Sequence, residues 1–387
     1  MRASRLDTGL ARSLREWNPV DRTLGPSVEQ QARFLQKLQH LLVEGEFVAT
    51  YKFALLLALV RWALEHPDHD ERQPLDVRDL ALHVIELYWP HTRPFATLAG
   101  VAGEASPPFA PKFDSPGSGV LVQERGGQSL KILKEIEELQ RRTRGAFRDA
   151  QDTERGALIN AVRQSISDMP LWKLQSVRDR EEPLHFLYHR GRHKSEIVFE
   201  PGTVACLVAF ADLIEALVRA AWLRFVLDCN SELLRASSQV ETFLFPGDRA
   251  SLEIWRRPIE GVQGSRCFYC DETMHGRGEV DHFLPWARYR RDLGHNFVLA
   301  HKQCNQAKLD HLAAFAHLRH WCERNADPDG RLVRSFENAG LPHDWRTLRR
   351  VASSLYRVVE ARDAGVWDRG RAFVRLDPAW RQLLGVG

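Results

Sequence analysis

Cys267-x-x-Cys270 and His301-x-x-Cys304 are two pairs of metal-ligating residue types at the same spacing. Each pair can occupy a tight turn or a helix start that aims both side chains at one ion, and the set suits tetrahedral zinc. Such a site is closed, because protein fills all four positions and leaves none for water or substrate. It is a scaffold, and any catalysis must lie elsewhere. Between the pairs runs "EVDHFLPWARYRRDLGHNFVLAHKQCNQAKLDHL", from Glu279 to Leu312. It reads as a strand, "EVDHFLP", a loop, a second strand, "FVLA", and a helix beginning near His301: a ββα unit pinned at both ends by zinc. Asp281 and His282 fall at the end of the first strand, where alternation sends side chains to opposite faces or lets them diverge at a bend. Asn296 follows Gly294 in the turn before the second strand. Asn305 stands in the first turn of the helix, with Lys308 one turn further on the same side.

Asp281-His282, Asn296 and Asn305, enclosed by the Cys and His pairs, resemble the HNH endonuclease family, in its zinc-bearing branch with the ββα-metal fold. The resemblance covers about residues 249–321. It implies that His282 is the general base that activates the water attacking a phosphodiester. It implies that Asp281 and Asn305 bind a catalytic divalent cation, magnesium or manganese, and that Asn296 holds the loop so that the base is oriented. The residue types suit those tasks. A neutral imidazole is a base poised near working pH, and a hard cation held by oxygen donors stabilises charge on the phosphate. Lys308, with Arg288, Arg290 and Arg291 of the intervening loop, is expected to contact DNA phosphates. Where relatives carry a second cysteine pair this chain has His301, and where the family name expects a final His it has Asn305.

Elements must hold these residues, and the rest of the chain predicts a mainly α fold. Apolar residues recur at helical spacing in "VEQQARFLQKLQHLL", "FVATYKFALLLALVRWALEH" and "LDVRDLALHVIELYW", and again in "SLKILKEIEELQRRTR" and "ERGALINAVRQSIS". "LHFLYHRGRHKSEIVFE" suggests a hairpin around Arg190-Gly191-Arg192, and Thr203 to Cys229 reads as one long central helix. The expected organisation is a helical N-terminal region (1–90), a Pro/Gly-rich loop or linker (91–127), a helical region with a short hairpin (128–248), the zinc-bearing nuclease domain (249–325) and a helical C-terminal tail (326–387).

Bulk composition narrows the function classes. The 387 residues carry a formal net charge of only +3, so any nucleic-acid surface is local and the chain is no indiscriminate polycation. Six scattered cysteines do not form a secreted disulfide framework, and "MRASRLDTGLARSLREW" lacks the apolar core of a signal peptide; a cytoplasmic protein is expected. "FALLLALVRWALEH" is too short for a membrane span and reads as a buried helix. A zinc deaminase fails for want of His-x-Glu with Pro-Cys-x-x-Cys. The expectation is a metal-dependent DNA endonuclease whose helical part selects the target or a companion protein, of the kind found in bacterial restriction and anti-phage defence. The competing reading is a catalytically silent, zinc-stabilised nucleic-acid-binding or assembly module, which has no reason to keep Asp281, His282 and Asn305 together.

Overall fold

The computed structural model describes residues 26–92, 95, 121–126, 130–143, 147, 150–231, 237–246 and 252–386. The Pro/Gly-rich loop lies almost wholly outside them, as does the N-terminal stretch read against a signal peptide. Helices dominate. In chain order the elements used below are α1 (Val28–Glu44), α2 (Tyr51–Glu65), β1 (Leu75–Asp76), α3 (Arg78–Tyr88), α4 (Lys131–Thr143), α5 (Asp152–Asp168), β2 (Tyr188–Arg190) and β3 (Glu196–Phe199). They continue with α6 (Thr203–Ala209), α7 (Ala211–Cys229), α8 (Glu253–Gln263), β4 (Glu279–His282), β5 (Phe297–Ala300) and α9 (Lys302–Lys308). The last are α10 (Phe315–Ala326), α11 (Arg331–Asn338), α12 (Trp345–Ala361), β6 (Val366–Arg369) and β7 (Ala372–Val374).

Sequence explains the central helix directly. Helix α2 is apolar on every side, and every residue from Lys52 to Glu65 is buried; a helix of that kind must be surrounded. Its neighbours are α3, α6, α7 and, from the far end of the chain, α12. By contrast α1 buries one stripe, Phe34, Leu38 and Leu41, and begins with a capping box in which Ser27 and Gln30 satisfy each other's backbone N–H. Inside the helical region a polar network is fully paired. Gln123 Oε1 accepts from Thr50 Oγ1 (3.0 Å) and Trp222 Nε1 (3.2 Å), and Gln123 Nε2 donates to His91 Nδ1 (3.3 Å). That leaves His91 Nε2 to carry the proton it donates to the Leu244 carbonyl at 2.7 Å.

Two expectations need correction. The stretch from Thr203 to Cys229 is two helices, because Phe210 leaves helical geometry (φ −111°, ψ 17°) and its ring stacks on Phe34 at 6.4 Å. The C-terminal tail is not purely helical: after α11 and α12 it forms the antiparallel hairpin β6–β7, turned at Gly370 with φ +54°. Nor does it trail away, since Ser354 Oγ of α12 donates to the Leu64 carbonyl of α2 at 2.7 Å. Trp367 of β6 exchanges backbone hydrogen bonds with Leu312 and Ala314, just beyond α9. The hairpin expected around Arg190 is present as β2–β3, joined at its edge by the short β1.

Candidate active site and metal centre

Strands β4 and β5 pair antiparallel, with Glu279 opposite Ala300, Asp281 opposite Val298 and His282 opposite Phe297, and α9 follows at once. This is the ββα unit read from sequence. Its zinc ligands converge: the donor atoms of Cys267, Cys270, His301 and Cys304 lie within 4.8 Å of one another, and Cys270 Sγ is 3.2 Å from His301 Nδ1. Three sulfurs this close resist sharing negative charge. Burial first, and then the neighbouring Cys267 and Cys270, push the Cys304 thiol up to about 12. At Cys267 burial works the same way, but backbone N–H groups of Cys270, His301 and Tyr269 more than offset it and lower the pKa. A tetrahedral cation of the zinc class resolves the conflict, and the donor set fits it. His301 is oriented for that role, since its Nε2 lies 3.4 Å from the Thr273 carbonyl and its Nδ1 faces the sulfurs.

The two motif residues on β4 enter different surroundings, as strand alternation requires. Asp281 Oδ2 accepts from Tyr269 Oη at 2.6 Å and lies 3.3 Å from Lys308 Nζ. Burial, and then the Asp281 charge, raise the Tyr269 pKa far above its ordinary value, so the phenol keeps its proton and donates. His282 packs beside Phe297 and Trp286, and its Nε2 is 2.8 Å from Asp292 Oδ1. A carboxylate can only accept, so His282 donates from Nε2, and its Nδ1 has no partner among the described residues. Asn296 is sealed from solvent and bonds twice to Leu284, accepting from its N–H at 2.7 Å and donating to its carbonyl at 3.0 Å. It ties the loop to the residues that follow His282. Asn305 Nδ2 donates to Glu279 Oε2 at 2.9 Å, and Asn305 Oδ1 has no partner among the described residues.

Asp281 and Asn305 therefore share the seam between β4 and α9, and their unpaired oxygens are hard donors of the kind magnesium and manganese take. Those residues fit such an ion in chemistry, with Lys308 already neutralising part of the Asp281 charge.

Each of the four basic residues expected at phosphates has a partner within the protein. Lys308 is wholly buried and donates to the His282 carbonyl at 2.8 Å, stitching α9 to the end of β4. Arg288 pairs with Asp212 of α7 at 3.0 Å, and Arg290 with Glu215 at 2.9 Å. Arg291 reaches Glu65 of α2 and Glu86 of α3, both at 2.8 Å. Burial opposes its charge, but Glu86 and Glu65 prevail and raise its pKa still further. The physical reason is burial: a guanidinium withdrawn from water must find carboxylates, and the helical region supplies them.

Tyr269, Glu279 and Asp292 were missed by sequence reasoning. For Glu279 a signal existed, since it stands two residues before Asp281 on the same strand face. Asp292 lies in a loop and its partner is ten positions away, which no period reports.

Residues 31–243 match the family model described as a domain of unknown function, DUF8808, over more than half of the chain. The chain belongs to that family. Residues 267–314 match the HNH endonuclease family model, which spans the zinc ligands and every motif residue of the ββα unit. The DUF8808 chain thus carries an HNH endonuclease domain behind its helical region. Neither the curated proteins nor the solved structures give a match. No helix among the described residues is long and apolar enough to cross a membrane.

Proposed function

We propose that this protein is a metal-dependent endonuclease that hydrolyses DNA phosphodiester bonds, with His282 as general base. The observation that carries the reading is the coincidence of the HNH match with a base whose tautomer a carboxylate fixes: His282 Nε2 on Asp292 Oδ1 at 2.8 Å. In this mechanism Nδ1 takes a proton from water as the water oxygen bonds to phosphorus. The bond from phosphorus to the leaving sugar oxygen breaks, and that oxygen takes a proton from solvent. Asp292 stabilises the imidazolium that forms, and Asn296 keeps the loop in place. Asp281 and Asn305 would hold the divalent cation, which when bound supplies electrostatic stabilisation of the phosphate oxygens. One such centre performs one hydrolysis at a time, so cutting both strands needs two copies or two successive events. By resemblance we place the activity in restriction or anti-phage defence, with the helical region engaging the target or a companion protein.

One observation favours the competing module: Asp281 Oδ2 already has two partners inside the protein, Tyr269 Oη and Lys308 Nζ. Plasmid cleavage separates the two. Supercoiled DNA should be nicked or linearised by the native protein with magnesium or manganese, and not by His282→Ala at equal zinc content, a loss of about 10²-fold or more. Equal behaviour of the two proteins, or no cutting with any divalent metal, would favour the silent module.

A further inference from the structure

Four consecutive residues, Arg288 to Arg291, turn toward acidic groups, and the fifth, Asp292, turns toward the base. The grip is firmest at Arg291. Its guanidinium is 14% exposed, Glu65 beside it is 7% exposed, and Tyr289 Oη donates to the same Glu65 oxygen at 2.8 Å. Taking one partner from such a buried set leaves a stranded charge, so the set holds its geometry firmly. All of the carboxylates on Arg291 come from the DUF8808 region, from α2 and α3.

We propose that Asp292 is a positioning residue for His282 and that the helical region keeps it in place through the Glu65–Arg291–Glu86 clamp. The proposal rests on the reading of His282 as the general base. Asp292 lies between β4 and β5 in a segment without regular secondary structure, and a loop of that kind does not by itself fix a side chain. Here both ends are secured. Arg291 is anchored on α2 and α3, and Asn296 is bonded twice to Leu284. Between those anchors the carboxylate is held on Nε2, which presents the Nδ1 lone pair and keeps the ring from turning. A base displaced by about 1 Å loses on the order of 10²-fold in rate, so the clamp matters even though it lies outside the chemistry. The helical region then does more than select a target. It completes the HNH centre, and anything that pulls α2 and α3 away from Arg291 would also loosen the base.

The test uses the full chain with zinc content and circular dichroism matched. Steady-state nicking would be measured for the native protein, Asp292→Ala, Asp292→Glu, Glu86→Gln and His282→Ala. Asp292→Ala is expected to lower kcat by about 10²-fold with KM within about twofold of native, and Asp292→Glu to recover part of the loss. Glu86→Gln should lower kcat several-fold at unchanged KM. Nitrogen-15 spectra of labelled histidine, assigned by subtraction of His282→Ala, give a second readout that needs no cleavage: the proton of His282 stays on Nε2 in the native chain and loses that preference in Asp292→Ala. If Asp292→Ala cuts within twofold of native while His282→Ala is inactive, the positioning role is overturned and the endonuclease reading stands. An unaltered tautomer in Asp292→Ala overturns it as well. Native kcat in Glu86→Gln overturns the part given to the helical region. If no variant cuts, the endonuclease reading falls, and the tautomer alone decides the Asp292–His282 pairing.

Discussion

Asn296 makes both of its side-chain hydrogen bonds to one residue, Leu284, inside a site that water does not reach. An alanine there would leave a backbone N–H and a carbonyl unpaired. Asn296→Ala should therefore cost about 1–3 kcal/mol for each buried group left without a partner, seen as a lower denaturation midpoint in urea. Activity should fall along with stability, because Leu284 follows directly on His282-Phe283. Lys308 illustrates how burial overrides type. A lysine on the helix of an HNH motif invites a phosphate role, yet a fully buried ammonium must spend its donors internally, here on the His282 carbonyl and the Asp281 carboxylate.

At the scale of elements, the ββα unit is small, and the Cys267, Cys270, His301 and Cys304 cluster, whose donor set fits zinc, joins its two ends. The knuckle is also tied to the strands directly, since Phe268 N–H donates to the Leu299 carbonyl and Gln263 bridges the Arg266 and Leu299 backbones. Structural zinc contributes roughly 10–16 kcal/mol of apparent binding energy in small zinc-finger peptides, so its removal outweighs any single contact. Treatment with a strong chelator should abolish the cooperative melting of this unit, and elemental analysis before treatment should find one zinc per chain. Gly294 is a second point of sensitivity. A Cβ there would meet the Phe336 ring of α11 at 2.6 Å. Gly294→Ala should push the loop away from α11 and destabilise the protein by about 1–3 kcal/mol, the usual cost of overpacking. Calorimetry would measure the shift, and an unchanged melting temperature would contradict the close approach.

Across the whole molecule, several histidines are buried in neutral form in separate places. Burial lowers His91 to about 4, with bonds to Leu244 and Gln123 opposing the shift. Burial together with Arg324 and His343 lowers His295 to about 4. Burial and the Arg291 charge lower His83 to about 3. In each case the folded pKa lies below the unfolded value of about 6.5, so between the two the unfolded chain binds more protons. Their contribution is complete above pH 6.5 and is lost as pH falls toward 4, at up to about 1.4 kcal/mol per pH unit for each group. The melting temperature should thus drop steadily from pH 7 to pH 5. His91→Gln, which removes one titrating group, should reduce that slope whatever it does to stability at pH 7; an unchanged slope would rule out His91 as a contributor.

What sequence alone determined was local. Ligand pairs a few residues apart, a strand that alternates, a helix start and an apolar run each announce themselves within a short window, because their cause is the periodicity of the backbone itself. The Cys and His cluster, the ββα order, the buried helix α2 and the hairpin around Arg190 were legible for that reason. Tertiary structure decided what depends on distant partners. Arg291 meets Glu65 across 226 positions, Arg288 meets Asp212 across 76, and α12 returns to α2 across 290. No pattern of spacing encodes such meetings. Whether an arginine beside an active site faces a phosphate or a carboxylate is settled only when the chain closes and water is excluded. There the desolvation of charge leaves Arg291 no stable course but to pair, and its neighbour Asp292 lies against His282.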